Sequence, residues 1–216
     1  ILLAVTLHEA AHGWTAWKLG DDTAYRMGRV TFNPIRHIDP FGTVLLPAGL
    51  LYFSGGQFMF GFAKPVPVNF HHLRRFRRDM VLVALAGPGT NVLLAVVSGG
   101  LLLSMDFIPS DIQEWVGYNL LNSIFINMLL CVFNMLPIPP LDGGRIAVGL
   151  LPPALAAPLA RLERAGIVII LAVVFILPWI GGKLGLDLNI FWWLVFKPAV
   201  FLGNVITSTF IGMNVF

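Results

Sequence analysis

A single cysteine, Cys131, stands in 216 residues, which excludes an intrachain disulfide and a cysteine-rich zinc site. Charge is also scarce. Only 12% of the residues are Asp, Glu, Lys or Arg, about half the share of an ordinary soluble domain. No Ser/Gly-rich or charged linker is visible, and neither is a repeat with a period of about 20 to 50 residues, so the sequence reads as one domain over residues 1–216. An initiator Met is missing too. Ile1 opens directly into an apolar run, and the native N-terminus is therefore expected upstream. What the chain does have is apolar surface: 57% of residues are hydrophobic and mean hydropathy is +0.81. Such a surface is matched to lipid. The net charge of +3 points to lipid headgroups and not to nucleic acid, because the basic residues lie in short loops between apolar runs.

A membrane-spanning helix needs about 20 mostly apolar residues. Stretches up to about residue 19, and at about 80–107, 114–136 and 189–212, approach that length, and a shorter one lies at about 165–180. The expected fold is an all-α polytopic membrane protein with about five to six transmembrane helices. Residues 41–62 are apolar but broken by Pro47, Gly49, Gly55 and Gly56, which argues against a continuous helix. With the following AKPVPVN, whose alternation around two prolines reads as extended, they form an expected re-entrant or membrane-surface segment over about 41–70. Positive charge is retained on the cytoplasmic side. That rule places the loop with Arg26, Arg29 and Arg36 and the run Arg74, Arg75, Arg77 and Arg78 together on that face. Lys197 and Pro198, inside the last span, fit this pattern poorly.

The first apolar run contains LHEAAHGWTAW. A helix advances about 100° per residue, so His8 and His12 share one face a turn apart, and Glu9 lies beside them. This is the H-E-x-x-H arrangement, in which two imidazoles hold zinc and the glutamate takes a proton from water. Polar residues at helical spacing on a surface are the alternative. At membrane depth, however, ionisable groups are costly and mark function.

Two histidines leave a catalytic zinc one protein ligand short. Asp21, Asp22 and Asp39 belong to a loop expected to be solvated, Asp79 follows a basic run that can neutralise it, Asp106 and Asp111 flank the far-side loop, and Glu163 lies between Arg161 and Arg164. Asp142 differs. It lies in NMLPIPPLDGGRI, where Pro137, Pro139 and Pro140 end the incoming helix and Gly143 and Gly144 permit close packing or unusual dihedrals. Irregular backbone at membrane depth is tolerated where it lines a wet cavity or is buried in protein. An ordinary Asp-Gly turn at the surface is the alternative.

HEAAH in an apolar helix, followed far downstream by LDGG after a proline-broken helix end, resembles the site-2 protease family of intramembrane zinc metalloproteases. GDDTAYRMGRVTFNPIRHIDPFGTVLLP, GFAKPVPVN and AGPGTN are similar to its compact prokaryotic branch. The resemblance implies one zinc ion per chain, bound by His8, His12 and Asp142. Glu9 would be general base and later proton donor. It also implies an active-site task for Asn91, in AGPGTN: stabilising the oxyanion or holding substrate backbone, with a helix–helix hydrogen bond as the alternative. Asn134 is expected to satisfy carbonyls freed by the prolines. His37, His71 and His72 are expected to be loop or headgroup residues.

The expected substrates are single-span membrane proteins cut in or near the transmembrane segment, in a prokaryotic plasma membrane, with the zinc site nearer the cytoplasmic side. A transmembrane helix hides its amides in its own hydrogen-bond ladder and must unwind. AKPVPVN is expected to take the unwound segment as an added strand, with an ordinary surface hairpin as the alternative. Larger relatives carry a PDZ-like or nucleotide-sensing domain, and regulation by either is not expected here. A metal-binding scaffold without catalysis and a divalent-metal transporter are the rival readings. Glu9 argues against the first, and the single helix with an HxxxH ligand pair argues against the second.

Overall fold

The computed structural model describes residues 1–53, 55, 56 and 61–216. The helices are α1 (Leu2–Leu19), α2 (Thr23–Arg26), α3 (Pro40–Phe53), α4 (Phe76–Leu102), α5 (Ser110–Asn134), α6 (Asp142–Leu150), α7 (Pro153–Arg161), α8 (Glu163–Leu184) and α9 (Trp192–Ile211). No β-strand occurs among the described residues. The chain is an all-α polytopic membrane protein. Four described helices, α4, α5, α8 and α9, are long and apolar enough to cross a membrane, and α3 is a shorter apolar helix. The short stretch expected at 165–180 extends in α8 to 22 residues.

Helix α4 is central and packs against α1, α5, α6 and α9. On α1 the buried residues Ala4, His8, His12 and Ala16 recur every four positions, so one stripe carries both histidines toward α4. Leu73, Met80 and Val83 gather around Ala16 at one end of this contact. A second cluster joins Ala95 and Leu102 of α4, Ile124 and Met128 of α5, and Ala199 of α9. Dispersion between well-fitted side chains holds such contacts, since lipid tails weaken any hydrophobic drive between spans.

Three prolines that would disrupt a regular helix each follow a widened π turn. The turns are Pro40–Leu45, Ala172–Ile176 and Trp192–Phe196, and Pro47, Pro178 and Pro198 each lie two residues beyond one. Proline lacks an N–H and collides with the carbonyl four residues earlier, and a π turn opens the ladder at that point. Pro88 and Pro158 lie inside helices without such a turn. The widening explains why residues 40–53 are helical despite Pro47, contrary to the sequence expectation. Asp39 caps this helix by accepting the N–H groups of Phe41 and Gly42, and the Gly42 carbonyl takes the N–H of Phe62 at 3.0 Å. Residues 54 and 57–60 of the expected surface segment lie outside the described residues. At the last span, the Lys197 ammonium lies 4.2 Å from the centre of the Trp193 ring, a cation–π contact that accounts for a charge the sequence left unexplained.

The stretch from residue 61 to 69, neither helix nor strand, is tied to the protein through Phe62, Lys64, Val66 and Asn69. Phe62 bonds Gly42, the Lys64 N–H reaches the His37 carbonyl at 2.9 Å, and Arg29 donates to the Lys64 carbonyl at 2.7 Å. The Val66 N–H goes to Glu9, and the Asn69 N–H goes to Asp21 at 2.6 Å. Asp21 was expected in a solvated loop but is fully buried. Burial alone would raise its pKa. Hydrogen bonds from the Thr23 hydroxyl, the amides of Asn69 and Thr23, and His72 outweigh that and hold the carboxyl below its ordinary range.

Candidate metal centre

His8 and His12 of α1 meet Asp142, the first residue of α6, across α4. The Nε2 atoms of the two histidines are 3.0 Å apart, and Asp142 Oδ2 lies 3.2 Å from His8 Nε2 and 3.3 Å from His12 Nε2. All three residues are buried. Asp142 reaches this point because α6 starts hard against the proline-rich turn. A Cβ on Gly143 would collide with the Met135 carbonyl, and one on Gly144 with the backbone at Ile138 and Pro139. Close packing, and no left-handed dihedral, is therefore what the two glycines supply. Gly87 of α4 does the same beneath the imidazoles: a Cβ there would strike His12 Nε2 and come within 2.6 Å of His8 Cε1.

The protons of this cluster follow from its neighbours. His12 Nδ1 lies 2.7 Å from the Val83 carbonyl, which can only accept, so His12 donates from Nδ1 and a neutral ring turns its Nε2 lone pair inward. His8 Nδ1 lies 2.6 Å from Asn91 Oδ1, giving the same tautomer. Asp142 Oδ2 is buried without a hydrogen-bond donor. With both rings neutral, three acceptors face one another, and repulsion of that kind is relieved by a cation. Ligands about 2.0–2.1 Å from a tetrahedral zinc are separated by ~3.3 Å. The observed separations match. Two imidazoles and one carboxylate supply three of the four positions of a tetrahedral zinc, the donor count of a catalytic site.

Glu9 lies one residue along α1 from His8. Its Oε2 accepts the Val66 N–H at 2.7 Å, which joins the extended stretch to the site. Asn91 is fully buried, and besides His8 Nδ1 its side chain contacts Asn127, to which Nδ2 donates at 2.9 Å. The Asn127 contact is the helix–helix hydrogen bond that stood as the alternative to an oxyanion or substrate-backbone role. Asn134 bonds the Leu130 carbonyl one turn back at 3.0 Å. His37 is buried and bonds the Thr31 carbonyl, whereas His71 and His72 are exposed. Asp79 caps α4 by accepting the Arg75 N–H, Asp22 pairs with Arg26, and Glu163 lies 3.7 Å from Arg145. Sequence reasoning missed Gly87, the Val83 carbonyl and Asn127. Only Asn127 left a sign, as an amide in an apolar span.

A helical membrane protein with a buried His-His-Asp centre beside a glutamate defines the class. Comparison with known proteins is consistent with it. The model of Peptidase family M50 matches residues 112–178, a region that includes Asp142 but not the HEAAH helix. YwhC of Bacillus subtilis, provisionally named a zinc metalloprotease, is 41% identical over 183 residues, 82% of this chain and 78% of YwhC. The Rip2 proteins, provisionally named in the same way, are 32% identical in Mycolicibacterium smegmatis and 34% in Mycobacterium tuberculosis. The matches cover 80% and 84% of this chain but 63% and 66% of those proteins. The chain belongs to peptidase family M50, the site-2 protease family. No solved structure matches it.

Proposed function

We propose that this chain is an intramembrane zinc endopeptidase that hydrolyses a peptide bond in or near the transmembrane segment of single-span membrane proteins. The observation that carries the reading is the convergence of His8 Nε2, His12 Nε2 and Asp142 Oδ2 at zinc-ligand spacing beside Glu9. In this reading those three residues hold one zinc ion. Zinc bound there supplies a Lewis acid for the scissile carbonyl and makes water more acidic. The rest is done by the chain. Among the described residues Glu9 Oε1 has no hydrogen-bond partner, while Oε2 is held by Val66. Oε1 takes the proton of the attacking water and returns it to the leaving amide nitrogen. Asn91 serves as a positioning residue behind His8.

The arginine clusters support a site nearer the cytoplasmic side of the membrane, which in this reading is a prokaryotic plasma membrane. The Arg74 N–H bonds the Leu19 carbonyl at 3.1 Å, so the end of α1 and the start of α4 lie together at the basic end. His12 and Val83 are each about 10 Å from that end at the α-helical rise, on an α4 about 40 Å long.

The unwound substrate is taken to lie along residues 61–69. Backbone groups of Phe62, Lys64 and Val66 are already bonded, the Pro65 carbonyl lies 3.5 Å from the Arg29 guanidinium, and Pro65 and Pro67 have no N–H, so the free edge offers few donors to a substrate strand. A Val66→Pro variant would remove the donor that Glu9 accepts, and therefore tests the Glu9 contact more than the edge.

The test is metal analysis of purified chain together with cleavage of a labelled transmembrane peptide, with and without chelator. One zinc per chain and chelator-sensitive cleavage are expected. Zinc without cleavage would leave a metal-binding scaffold, and the absence of zinc would overturn the reading.

A further inference from the structure

The imidazole–amide contact at His8 is the first of a series that runs away from the centre into the α4–α5 interface. Asn91 Nδ2 donates to Asn127 Oδ1 at 2.9 Å, and Asn127 Nδ2 donates to the Ser123 carbonyl at 2.8 Å. Asn127 is buried, as Asn91 is. An amide side chain can turn over and exchange its donor and acceptor, so the direction of such a series needs an anchor. The Ser123 carbonyl is that anchor, because a carbonyl only accepts. It turns Asn127 Nδ2 toward itself and leaves Asn127 Oδ1 facing Asn91. Asn91 must then present Nδ2 to Asn127 and Oδ1 to His8. Facing an acceptor, His8 carries its proton on Nδ1 and its lone pair on Nε2, the atom 3.2 Å from Asp142.

We infer that Asn127 is a positioning residue for the metal centre: through Asn91 it fixes the tautomer in which His8 can ligate the ion. The inference rests on the zinc reading above. His12 needs no such series, since its Nδ1 meets a backbone carbonyl directly. Of the two imidazoles, His8 alone depends on a neighbour that can flip. Asn127 touches neither the centre nor, in this reading, the substrate. Direct hydrogen-bond partners of metal-bound histidines are worth about 10- to 100-fold in metal affinity, and that is the range open to a residue whose loss lets Asn91 turn over.

The experiment measures zinc affinity of the purified full chain by chelator competition, which is independent of cleavage. N127L keeps the volume but frees the Asn91 amide, and should weaken zinc binding about 10- to 100-fold. N127D should stay within about threefold of wild type, well below that range. A buried neutral Asp donates its O–H to Ser123 and still accepts from Asn91. N91D presents an acceptor to His8 whichever way it turns, so adding N127L to N91D should cost less than about threefold. N119A breaks the 2.8 Å bond from Asn119 to the Trp115 carbonyl on the same helix as Asn127 and should leave affinity unchanged. Should N127L not fold, N127A removes the same groups and carries the same expectation. Wild-type affinity in N127L or N127A, equal losses in N127L and N127D, equal losses from N127L with and without N91D, or a matching loss in N119A would each overturn the inference. A wild-type chain that binds no zinc would instead overturn the reading on which it rests.

Discussion

The corner built by α1, α4 and α6 and the arm formed by α8 and α9 have similar composition but are assembled on different principles. In the most apolar 18-residue window, 44% of α4 is buried, against 17% of α8 and 22% of α9. The corner packs through glycines pressed against backbone or imidazole, and among the described residues of its three helices Asp142 Oδ2, which faces the two imidazoles, and Arg145 Nε are the buried side-chain polar atoms without a hydrogen-bond partner. The arm instead absorbs its prolines in π turns and exposes large side chains such as Trp179, Trp193 and Phe201. Its tightest approach to the rest is at its beginning, where a Cβ on Gly166 would strike the Pro139 carbonyl. The contrast teaches where precision is required. Metal ligands must be held to fractions of an ångström, whereas a lipid-facing helix needs only length and apolarity.

Substitutions that respect or violate this contrast should differ accordingly. The largest effect belongs to Glu9→Gln. Its side chain can still accept the Val66 N–H, so zinc content should be unchanged, while cleavage falls by about 100-fold or more because the proton acceptor is gone. Measuring both on one preparation separates chemistry from folding. Next is Gly87→Ala, which places a methyl group among the imidazoles and should weaken zinc binding by about 10- to 100-fold, judged against the cost of disturbing ligand orientation, as read by chelator titration. Wild-type affinity in this variant would mean that the corner yields more than its packing implies.

At the foot of the corner, Asp21→Asn should cost about 1–3 kcal/mol, the value of charge-assisted hydrogen bonds to a buried carboxylate, measured by thermal unfolding in detergent. The folded carboxyl lies below its ordinary range. Its contribution is therefore complete above the unfolded value, about 3.9, and is lost as pH falls through the folded one. The Asn variant should lack that part of the acid sensitivity. The smallest effect is expected in the arm. A Cβ on Gly182 of α8 meets nothing, and Gly182→Ala should change stability by no more than about 1 kcal/mol, in the direction of helix propensity, with zinc affinity unmoved.

His8, Glu9 and His12 were legible because helical spacing and apolar surroundings make three ionisable groups conspicuous. Asp142 was legible because prolines and glycines around it announced irregular backbone. The partners of Asn91 were not. A lone amide in an apolar span announces a hydrogen bond, but which of the four helices packed against α4 receives it depends on rotation and packing that one sequence does not encode locally. Asn127 stayed unnoticed for the same reason. Residues 40–53 looked broken because Pro47 forbids a regular α-helix, and the π turn that accommodates it has no composition of its own. Asp21 looked like a solvated loop residue, since nothing nearby in sequence shows that Asn69 and His72 will fold over it.

X-ray absorption at the zinc edge, combined with elemental analysis of the intact chain, tests the ligand set most directly. One zinc per chain with two imidazole nitrogens and oxygen neighbours at about 2.0–2.2 Å is the predicted result, and the imidazole signal should vanish in a His8→Ala, His12→Ala chain. Zinc held equally well without those histidines, or no zinc at all, would contradict it.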